Sequence, residues 1–237
     1  MKKSVSLQFS KAAQTYEKET IVQKSSAKEL KTFIESDNIS GKGIDLGCGT
    51  GTLDNLPNTN IVGIDISPKM IEKYTEKNQI GIVADIENLP FKNHSFDFAI
   101  SNFSLHWTNL EKSIQEIHRV LKPNGYLILS IPVKNSFNII KQILGTETFQ
   151  FPSQEKVINI ISRRFIIKKY HTKTYEIKFK STIQMLKHLK NTGTTTYKNG
   201  KTLGKKLKNY KKLTSFKGEI TLNFEVLFIK AIRINTI

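Results

Sequence analysis

The segment GIDLGCGTG (residues 43–51) decides the fold class, because a short apolar strand runs directly into three alternating glycines. Glycine adopts positive φ angles without strain and lets a ligand approach the backbone closely. A dinucleotide site has the spacing G-x-G-x-x-G, whereas Gly47, Gly49 and Gly51 are spaced G-x-G-x-G. The spacing therefore predicts a ligand loop of another class. A helix after this loop would turn its N-terminal amides toward a negative group.

The acid Asp45 stands two residues before the first of these glycines. A carboxylate at that position repels a pyrophosphate and suits a cationic ligand, such as the amino group of S-adenosylmethionine. The pattern therefore favours an S-adenosylmethionine loop, and a plain glycine turn is the alternative interpretation.

Strands and helices alternate after the glycine loop. The predicted strands are nearly continuous apolar runs, which is typical of a mostly parallel sheet covered by helices on both faces. The predicted elements are one or two helices in 9–35, strands within 60–67, 79–90, 95–107 and 126–133, a helix starting at Ser67-Pro68, a helix at 109–123, a helix near 153–162 and strands at 165–179 and 218–234. We expect a single α/β domain, because the last strand must return to the sheet.

Acids also stand at the ends of the second and third predicted strands. Asp65 ends the second strand, and Asp85, followed by Ile86, ends the third. A carboxylate at the first position can accept both ribose hydroxyls, and one at the second can accept an adenine amino group beside an apolar wall. Taken singly, each acid is equally typical of a helix start or a turn. Because the carboxyl ends of parallel strands meet at one edge of a sheet, the acids together predict a cofactor site there.

Composition bounds the class of protein. The chain has 237 residues, contains no stretch of 18 apolar residues and has one cysteine, Cys48. These features exclude a membrane-spanning apolar helix, a disulfide framework and a cysteine-based zinc site. The N-terminal segment is basic but has no apolar run behind it, so we expect no secretory signal and a cytoplasmic protein.

The net charge of +17 is concentrated in one segment. Residues 163–217 contain 17 Lys and Arg against the single acid Glu176, and ten of the lysines lie within 181–217. Solvent-facing lysines would explain many positive charges, but they do not explain why acids are missing from this segment alone. The segment therefore predicts a docking surface for an anionic partner, with a simply solvated helix and loop as the alternative.

The order of the motifs resembles the class I S-adenosylmethionine-dependent methyltransferases over about residues 40–135. The resemblance is carried by DLGCGTG, VGIDIS, ADIENLPF, FDFAISNFSLHW and RVLKPNGYLILS. It implies a Rossmann-like, seven-stranded, mostly parallel sheet. The implied parts are an N-terminal helical lid (1–40), a cofactor-binding core (41–135), a substrate side (136–217) with a basic lid insertion (181–217), and a final strand (218–237). The implied cofactor-binding residues are Asp45, Gly47, Gly49, Gly51, Asp65, Ile66, Asp85, Ile86 and Asn102.

Motifs outside this core narrow the resemblance. FSKAAQTYEKETIVQ (9–23), SNFSLHW and LKNTGTTTYKNG (189–200) are similar to segments of the malonyl-[acyl-carrier-protein] O-methyltransferases of biotin synthesis. In that family an F-x-x-A-A-x-x-Y segment forms part of a lid, and an L-K-x-x-G-A-T-type segment lies in the insertion before the last strand. The chain departs from the pattern at His106, where glutamine is usual, at the threonines after Gly193, and in its many lysines.

The resemblance implies methyl transfer from S-adenosylmethionine to the free carboxylate of a malonyl thioester, leaving S-adenosylhomocysteine. A carboxylate is already ionised near neutral pH, so neither a general base nor a metal is expected. The substrate candidates are Tyr16, His106 and Trp107, each of which is equally typical of lid or core packing. Arg119 is more typical of a structural role, and Cys48 is expected to supply backbone only.

The implied partner is an acidic acyl carrier protein docked on the 163–217 surface. A monomer without membrane contact is expected. A nucleic-acid methyltransferase would also use positive charge, but only Tyr197 and Tyr210 interleave with the lysines and no RNA-binding module accompanies them. Two alternatives remain: a methyltransferase that acts on another small molecule, and a binding factor without turnover.

Overall fold

The structure is a computed structural model that describes residues 2–53, 56–145, 149–194, 207–216 and 218–235. Its helices are α1 (Lys2–Glu19), α2 (Ile21–Ser36), α3 (Pro68–Thr75), α4 (Leu110–Val120), α5 (Asn138–Leu144), α6 (Gln154–Ser162), α7 (Thr182–Asn191) and α8 (Leu207–Thr214), with a short 3-10 helix at Leu105–Trp107. Its strands are β1 (Gly41–Leu46), β2 (Thr59–Asp65), β3 (Ile80–Val83), β4 (Phe96–Asn102), β5 (Leu121–Pro132), β6 (Phe165–Phe179) and β7 (Ile220–Arg233).

The strands form one sheet in the order β3-β2-β1-β4-β5-β7-β6. Neighbouring strands from β3 to β5 are parallel, and β7 is antiparallel to both β5 and β6. The prediction of a seven-stranded, mostly parallel sheet is therefore confirmed. The chain leaves β1 toward β2 on one side and returns through β4 on the other, and open α/β sheets bind ligands at the carboxyl ends of such a switch point.

Helices cover both faces of the sheet, as the apolar strands predict. In β7, Val226 and Phe228 lie in one core cluster, which α2, α5, α7 and α8 cover. Leu227 and Ile229, which alternate with them, lie in a second cluster, which α4 and α6 cover. Because successive side chains of a strand point to opposite faces, a strand buried on both faces must be apolar throughout.

The connection from β1 to β2 differs from the prediction. A helix was expected after the glycine loop, but the described residues 47–53 and 56–58 form turns and bends and no helix. Gly49 and Gly51 have φ angles of 55° and 83°, outside the helical region. The connection is also short, and Leu53 and Leu56 turn into the core beneath α2. No helix N-terminus in the described residues of this connection can therefore hold an anion.

Helix α4 ends at Val120, three residues before the expected stop at Pro123. The carbonyl of Arg119 accepts from His94 N and that of Val120 accepts from Ser95 N, so the last turn's carbonyls bind the segment leading into β4. Leu121 already pairs with Phe96 in the sheet. Long-range pairing ends the helix before the proline does.

The N-terminal segment forms two helices, and α1 crosses the carboxyl edge of the sheet. Ser6 Oγ donates to the Ile66 carbonyl at 2.9 Å, and Ser10 Oγ lies 2.8 Å from Ser67 Oγ. At its other end Glu19 accepts from Asn191 in α7. Helix α1 thus lies over the switch point between the sheet edge and the segment that precedes β7.

Candidate functional site

A cleft of about 680 Å³ lies between the carboxyl ends of the parallel strands and α1. Nine of the residues predicted from the sequence line it. They are Tyr16, Gly47, Gly49, Asp65, Ile66, Asp85, Ile86, Asn102 and Trp107. Asp45, Gly51 and His106, which were predicted with them, do not line this cleft. The sheet therefore brings most of the predicted site together from four strand ends, the short 3-10 helix and α1.

Gly47 and Gly49 shape the floor of the cleft. Gly47 has φ 75°, and a Cβ built on it would lie 2.2 Å from the Cβ of Ser104. Gly49 has φ 55°, and its N–H donates to the Asp65 carboxylate at 3.1 Å. Only glycine satisfies both the left-handed backbone and the space at the first position. The loop therefore presents backbone rather than side chains to a ligand.

The two predicted residues at the ends of this loop have other surroundings. Asp45 is 2% exposed within β1 and does not line the cleft, so the contact of its carboxylate with a cationic ligand stays a prediction. Burial inside a strand paired on both sides explains its position. Gly51 lies against Tyr74, and its carbonyl accepts from Lys77 Nζ at 3.2 Å. Gly51 thus holds the loop against α3 rather than lining the cleft.

Asp65 lies at the centre of the cleft. Its two carboxylate oxygens accept from Gly49 N at 3.1 Å and Ser67 N at 2.8 Å. Burial raises the pKa of Asp65 to about 6, although these N–H donors oppose the shift. A ligand hydroxyl that donates to this carboxylate would favour its ionised form. The position and the chemistry fit an acceptor for ribose hydroxyls.

One end of the cleft carries two carboxylates rather than the single one predicted. Asp85 and Glu87 both lie there beside the apolar side chain of Ile86, and Glu87 N donates to Asp85 at 3.0 Å. Lys2 of α1 makes an ion pair with Asp85 and with Glu87, the latter at 2.9 Å. Burial works against the charge of Lys2, but these carboxylates raise its pKa overall. Sequence reasoning missed Lys2 because the contact spans 83 residues.

Aromatic side chains close the other end of the cleft. Phe9 packs edge-on against Trp107, with ring centroids 5.7 Å apart, and against Tyr16 at 6.2 Å. Burial, together with the nearby charge of Asp65, raises the pKa of Tyr16, so its hydroxyl stays protonated at neutral pH. Tyr16 is therefore a neutral donor between the glycine loop and the aromatic wall.

A second, smaller cavity of about 320 Å³ adjoins this aromatic wall. It shares Phe9, Tyr16, Phe103 and Trp107 with the cleft. Its remaining lining comes from Gln23, His106, Pro132, Phe137, Phe151, Thr192, Thr194 and Phe224. We call this second space the aromatic cavity. His106, expected beside Trp107, thus lies on the aromatic cavity, where its ring centroid is 4.9 Å from that of Trp107.

The threonine-glycine segment after α7 forms part of this cavity. Thr192 and Thr194 line it, and a Cβ on Gly193 would lie 3.0 Å from the Phe9 ring. The start of the segment LKNTGTTTYKNG therefore packs against α1, as a roof would. Its remaining residues, 195–200, lie outside the described residues, as does Tyr197.

Two further predicted residues have structural contacts. Asn102 donates to the Gln23 carbonyl at 2.9 Å and accepts from Ser130 Oγ at 2.7 Å, so it joins α2 to the sheet edge. Arg119 binds Glu116 and the carbonyls of Leu89 and Phe91. The structural interpretation of Arg119 is therefore confirmed. Burial raises the pKa of the Cys48 thiol, which does not suit a nucleophile.

The basic segment follows β6, whose carboxyl end lies at the same edge of the sheet as the cleft. The exposed lysines around this end of β6 and on α7 include Lys178, Lys180, Lys187 and Lys190. Farther back on β6, Lys173 pairs with Glu29 at 2.9 Å. Within the described residues, no helix is long and apolar enough to cross a membrane, and no group of three potential metal ligands occurs.

Comparison with known proteins agrees with this architecture. Residues 44–129 match the family described as methyltransferase domain. A malonyl-[acyl-carrier protein] O-methyltransferase of Ilyobacter polytropus is 33% identical over 155 residues, which are 60% of this chain and 59% of the relative. A biotin biosynthesis bifunctional protein of Saccharophagus degradans is 26% identical across 98% of this chain and 47% of its own length. The chain thus spans about half the length of these relatives.

A solved structure shows the same fold at low identity. The S-adenosylmethionine-dependent methyltransferase of Thermotoga maritima has a TM-score of 0.61 and 18% identity, covering 96% of this chain and 99% of that one. The strand order, the glycine loop at the switch point and these matches all indicate the same fold class. Residues 44–129 are therefore similar to the methyltransferase domain family, and the chain has the Rossmann-like fold of the class I methyltransferases.

Proposed function

We propose that this chain transfers a methyl group from S-adenosylmethionine to the free carboxylate of a malonyl thioester on an acyl carrier protein. The observation that carries the proposal is the meeting of two spaces at one wall. A cleft with acids at its strand ends adjoins an aromatic cavity, and Phe9, Tyr16, Phe103 and Trp107 belong to both. Such a wall is where a methyl donor and an acceptor would meet.

The donor set of the cleft fits S-adenosylmethionine. The Asp65 carboxylate would accept the ribose hydroxyls, and Asp85 would accept the adenine amino group beside Ile86. The left-handed glycines 47 and 49 leave room for the methionine end, because a Cβ at Gly49 would meet only Tyr16, at 3.6 Å. When bound, this cofactor supplies an electrophilic methyl group on a sulfonium, and the protein's task is to hold an acceptor in line with it.

The chemistry of a carboxylate acceptor matches an aromatic cavity whose described lining has no lysine or arginine. A carboxylate is ionised near pH 7, so no base has to remove a proton. Negative charge is lost as the oxygen attacks, and a strong cation beside the oxygen would stabilise the reactants more than the transition state. The described lining of the aromatic cavity contains no Lys, Arg, Asp or Glu. Alignment and exclusion of water would then supply most of the rate enhancement.

The basic segment supports a carrier protein as the source of the thioester. The exposed Lys187 and Lys190 lie on α7, and Thr192, just beyond the end of α7, lines the aromatic cavity. An acidic carrier docked on α7 would lie next to the place where its acyl group has to enter. Charged surfaces of this kind mainly increase the rate of encounter and lose their effect at high salt.

The proposed product has a chemical purpose. Enzymes that elongate acyl chains bury the growing end in apolar tunnels, and a free carboxylate would cost several kcal/mol to bury there. A methyl ester removes that charge. The resemblance and the name of the Saccharophagus degradans relative support a role for this step in biotin synthesis, where the ester would prime the chain that becomes the pimeloyl group.

The deciding experiment is methyl transfer from labelled S-adenosylmethionine to malonyl-acyl carrier protein. Acetyl-acyl carrier protein, malonyl-coenzyme A and bulk RNA serve as parallel acceptors. We expect a base-labile label on the malonyl carrier and none on the acetyl carrier. Label on RNA, or no label on any acceptor despite bound cofactor, would reject the malonyl proposal in favour of another class I methyltransferase.

Docking on α7 is tested separately with Lys187→Glu/Lys190→Glu. We expect KM for malonyl-acyl carrier protein to rise about tenfold, while KM for malonyl-coenzyme A changes less than twofold. Lys92→Glu/Lys112→Glu, on the opposite helix layer, is the matched control. Equal effects on both thioesters would show that α7 does not dock the carrier.

A further inference from the structure

Gln23 of α2 occupies a fixed position beside the aromatic cavity. Gln23 lines the cavity, and its backbone carbonyl accepts from Asn102 Nδ2 at 2.9 Å. Asn102 accepts in turn from Ser130 Oγ at 2.7 Å, and Ser26 Oγ donates to Ser130 Oγ at 2.8 Å. This chain of hydrogen bonds ties the first turns of α2 to the ends of β4 and β5. The backbone of Gln23 is thus held beside the cavity by contacts that do not use its side-chain amide.

The hydrogen-bonding groups around the cavity differ in how they are used. Thr192 Oγ1 lies 3.1 Å from the His188 carbonyl and 3.2 Å from the Leu189 carbonyl, so its proton has a local acceptor. Thr194 Oγ1 lies 3.0 Å from Thr192 Oγ1. Among the described residues, the Tyr16 hydroxyl and the Gln23 amide form no hydrogen bond with another side chain or the backbone. They are two neutral donors that a ligand in the cavity can use.

A bound carboxylate in this cavity would need donors of this kind. Its neighbours are mostly aromatic rings, and burying a carboxylate without hydrogen bonds is strongly unfavourable. A lysine or arginine would satisfy the carboxylate, but its positive charge would stabilise the reactant oxygen more than the transition state and so slow the transfer. A primary amide donates a hydrogen bond without bringing a positive charge, and it can bind one carboxylate oxygen while the other faces the methyl group.

We propose that the Gln23 side-chain amide binds the acceptor carboxylate and is a specificity-determining residue of this enzyme. The inference rests on the proposed function, because it assigns the acceptor of that same reaction. Tyr16 supplies the second donor from the cofactor side. Gln23 therefore selects acyl groups that end in a carboxylate over those that end in a methyl group, such as acetyl.

Three variants test the assignment with malonyl-acyl carrier protein as acceptor. Gln23→Glu keeps the size of the side chain but places carboxylate against carboxylate, and we expect kcat/KM to fall more than about 100-fold at pH 8. Gln23→Met keeps the volume without a donor, and we expect a fall of about 10- to 100-fold, as for loss of a hydrogen bond to a charged group. Gln115→Glu, on the exposed face of α4, adds the same charge elsewhere and should change nothing.

The Gln23 variants should lose affinity for the acceptor and keep their affinity for the cofactor. We expect KM for the malonyl carrier to rise while the Kd for S-adenosylmethionine and the melting temperature stay near the wild-type values. A merely structural Gln23 would lower the melting temperature or weaken both ligands together, and either result would overturn the assignment. Unchanged kinetics in Gln23→Glu would overturn it as well.

The wild-type enzyme separates failure of the inference from failure of the proposed function. If the wild type methylates the malonyl carrier and the Gln23 variants do so equally well, only the inference fails. If the wild type methylates no malonyl thioester, the proposed function fails and the assignment of Gln23 to a carboxylate fails with it.

Discussion

The cleft around Asp65 and the aromatic cavity share a wall but are built in different ways. The floor of the cleft comes from one stretch of the chain, about sixty residues long. Within it, the carboxyl end of each successive parallel strand, or the loop after it, contributes lining residues that include the glycines and the acids. The aromatic cavity takes its lining from α1, α2, the β4 end, the β5 end, the segment after α7 and β7. Local backbone geometry determines the first site, and long-range packing determines the second. Changes in the cleft should therefore affect cofactor binding, and changes around the cavity should affect the acceptor.

The largest effect is expected from Gly47→Ala. The new Cβ would require a left-handed backbone and would lie 2.2 Å from Ser104 Cβ, so the loop has to move. Together these costs amount to about 2–5 kcal/mol of folding free energy, and we expect cofactor affinity to fall about 100-fold or more. Urea unfolding and calorimetric titration with S-adenosylmethionine measure the two effects.

Gly218→Ala is the matched control for that change. Gly218 also has a positive φ, 118°, but nothing lies within 4 Å of its Cβ position. It should lose about 1 kcal/mol from backbone strain and keep its cofactor affinity. Normal affinity in Gly47→Ala would mean that this loop does not hold the cofactor.

A tenfold effect is expected from pH, through Asp65. Its pKa is about 6 in the free protein, and ribose hydroxyls would bind its ionised form. Cofactor binding must then release a proton below pH 6, so the Kd should be about tenfold weaker at pH 5 than at pH 7. The folding stability of the ligand-free protein should change with pH in the opposite direction to cofactor affinity. Because the pKa of Asp65 is raised in the folded state, folding becomes less favourable as pH rises from about 4 to about 6.

The variant Asp65→Asn separates this residue from other titrating groups. Its affinity should be lower at neutral pH and nearly independent of pH between 5 and 7. A pH profile in Asp65→Asn that matches the wild type would assign the titration to another group.

A smaller effect is expected from Glu19→Gln, which tests the long-range packing around the aromatic cavity. Glu19 accepts from Asn191 Nδ2 and from His188 Nδ1, each at 2.9 Å, and so ties α1 to α7. The Asn191 bond, and then that of His188, lowers the pKa of Glu19 despite partial burial. A glutamine can accept only one of these bonds, so we expect KM for the malonyl carrier to rise about three- to tenfold.

Cofactor affinity decides what this variant means. The Kd for S-adenosylmethionine should change less than twofold in Glu19→Gln, and neither constant should change in Glu35→Gln, an exposed glutamate of α2. Equal losses for cofactor and acceptor would show that the two sites are not separable through α1.

The smallest effect is expected from Lys2→Ala. Lys2 pairs with Asp85 and Glu87 where the adenine amino group would bind, and it is partly exposed. Removing it should tighten cofactor binding by up to about threefold, because a solvent-exposed ion pair contributes little. Lys3→Ala, a neighbouring exposed lysine, is the control. Weaker binding in Lys2→Ala would show that Lys2 assists the cofactor instead of competing with it.

The sequence predicted the elements with strong local patterns. The apolar strands, the Ser67-Pro68 helix start and the order of the glycine loop and acids all led to the correct sheet, and Ser67 caps α3 by accepting from Met70 N. The turns and bends of the described residues 52–53 and 56–58 and the early end of α4 were not predicted, because the core beneath α2 and the pairing of Leu121 with Phe96 override local preference. Glu87 could have been found as the second acid after β3, whereas nothing near Lys2 or Gln23 in the sequence indicates what they face.

By itself the sequence determined the fold class, the cofactor edge and the concentration of positive charge, because each depends on residues close together in the chain. Only the tertiary structure decided that Asp45 is buried, that Lys2 reaches Asp85 and that Gln23 lies on the aromatic cavity. These contacts join residues tens to hundreds of positions apart. The physical reason is that periodicity and turn chemistry act over a few residues, whereas a cavity is formed by whichever side chains remain at a surface after the helices have packed on the sheet.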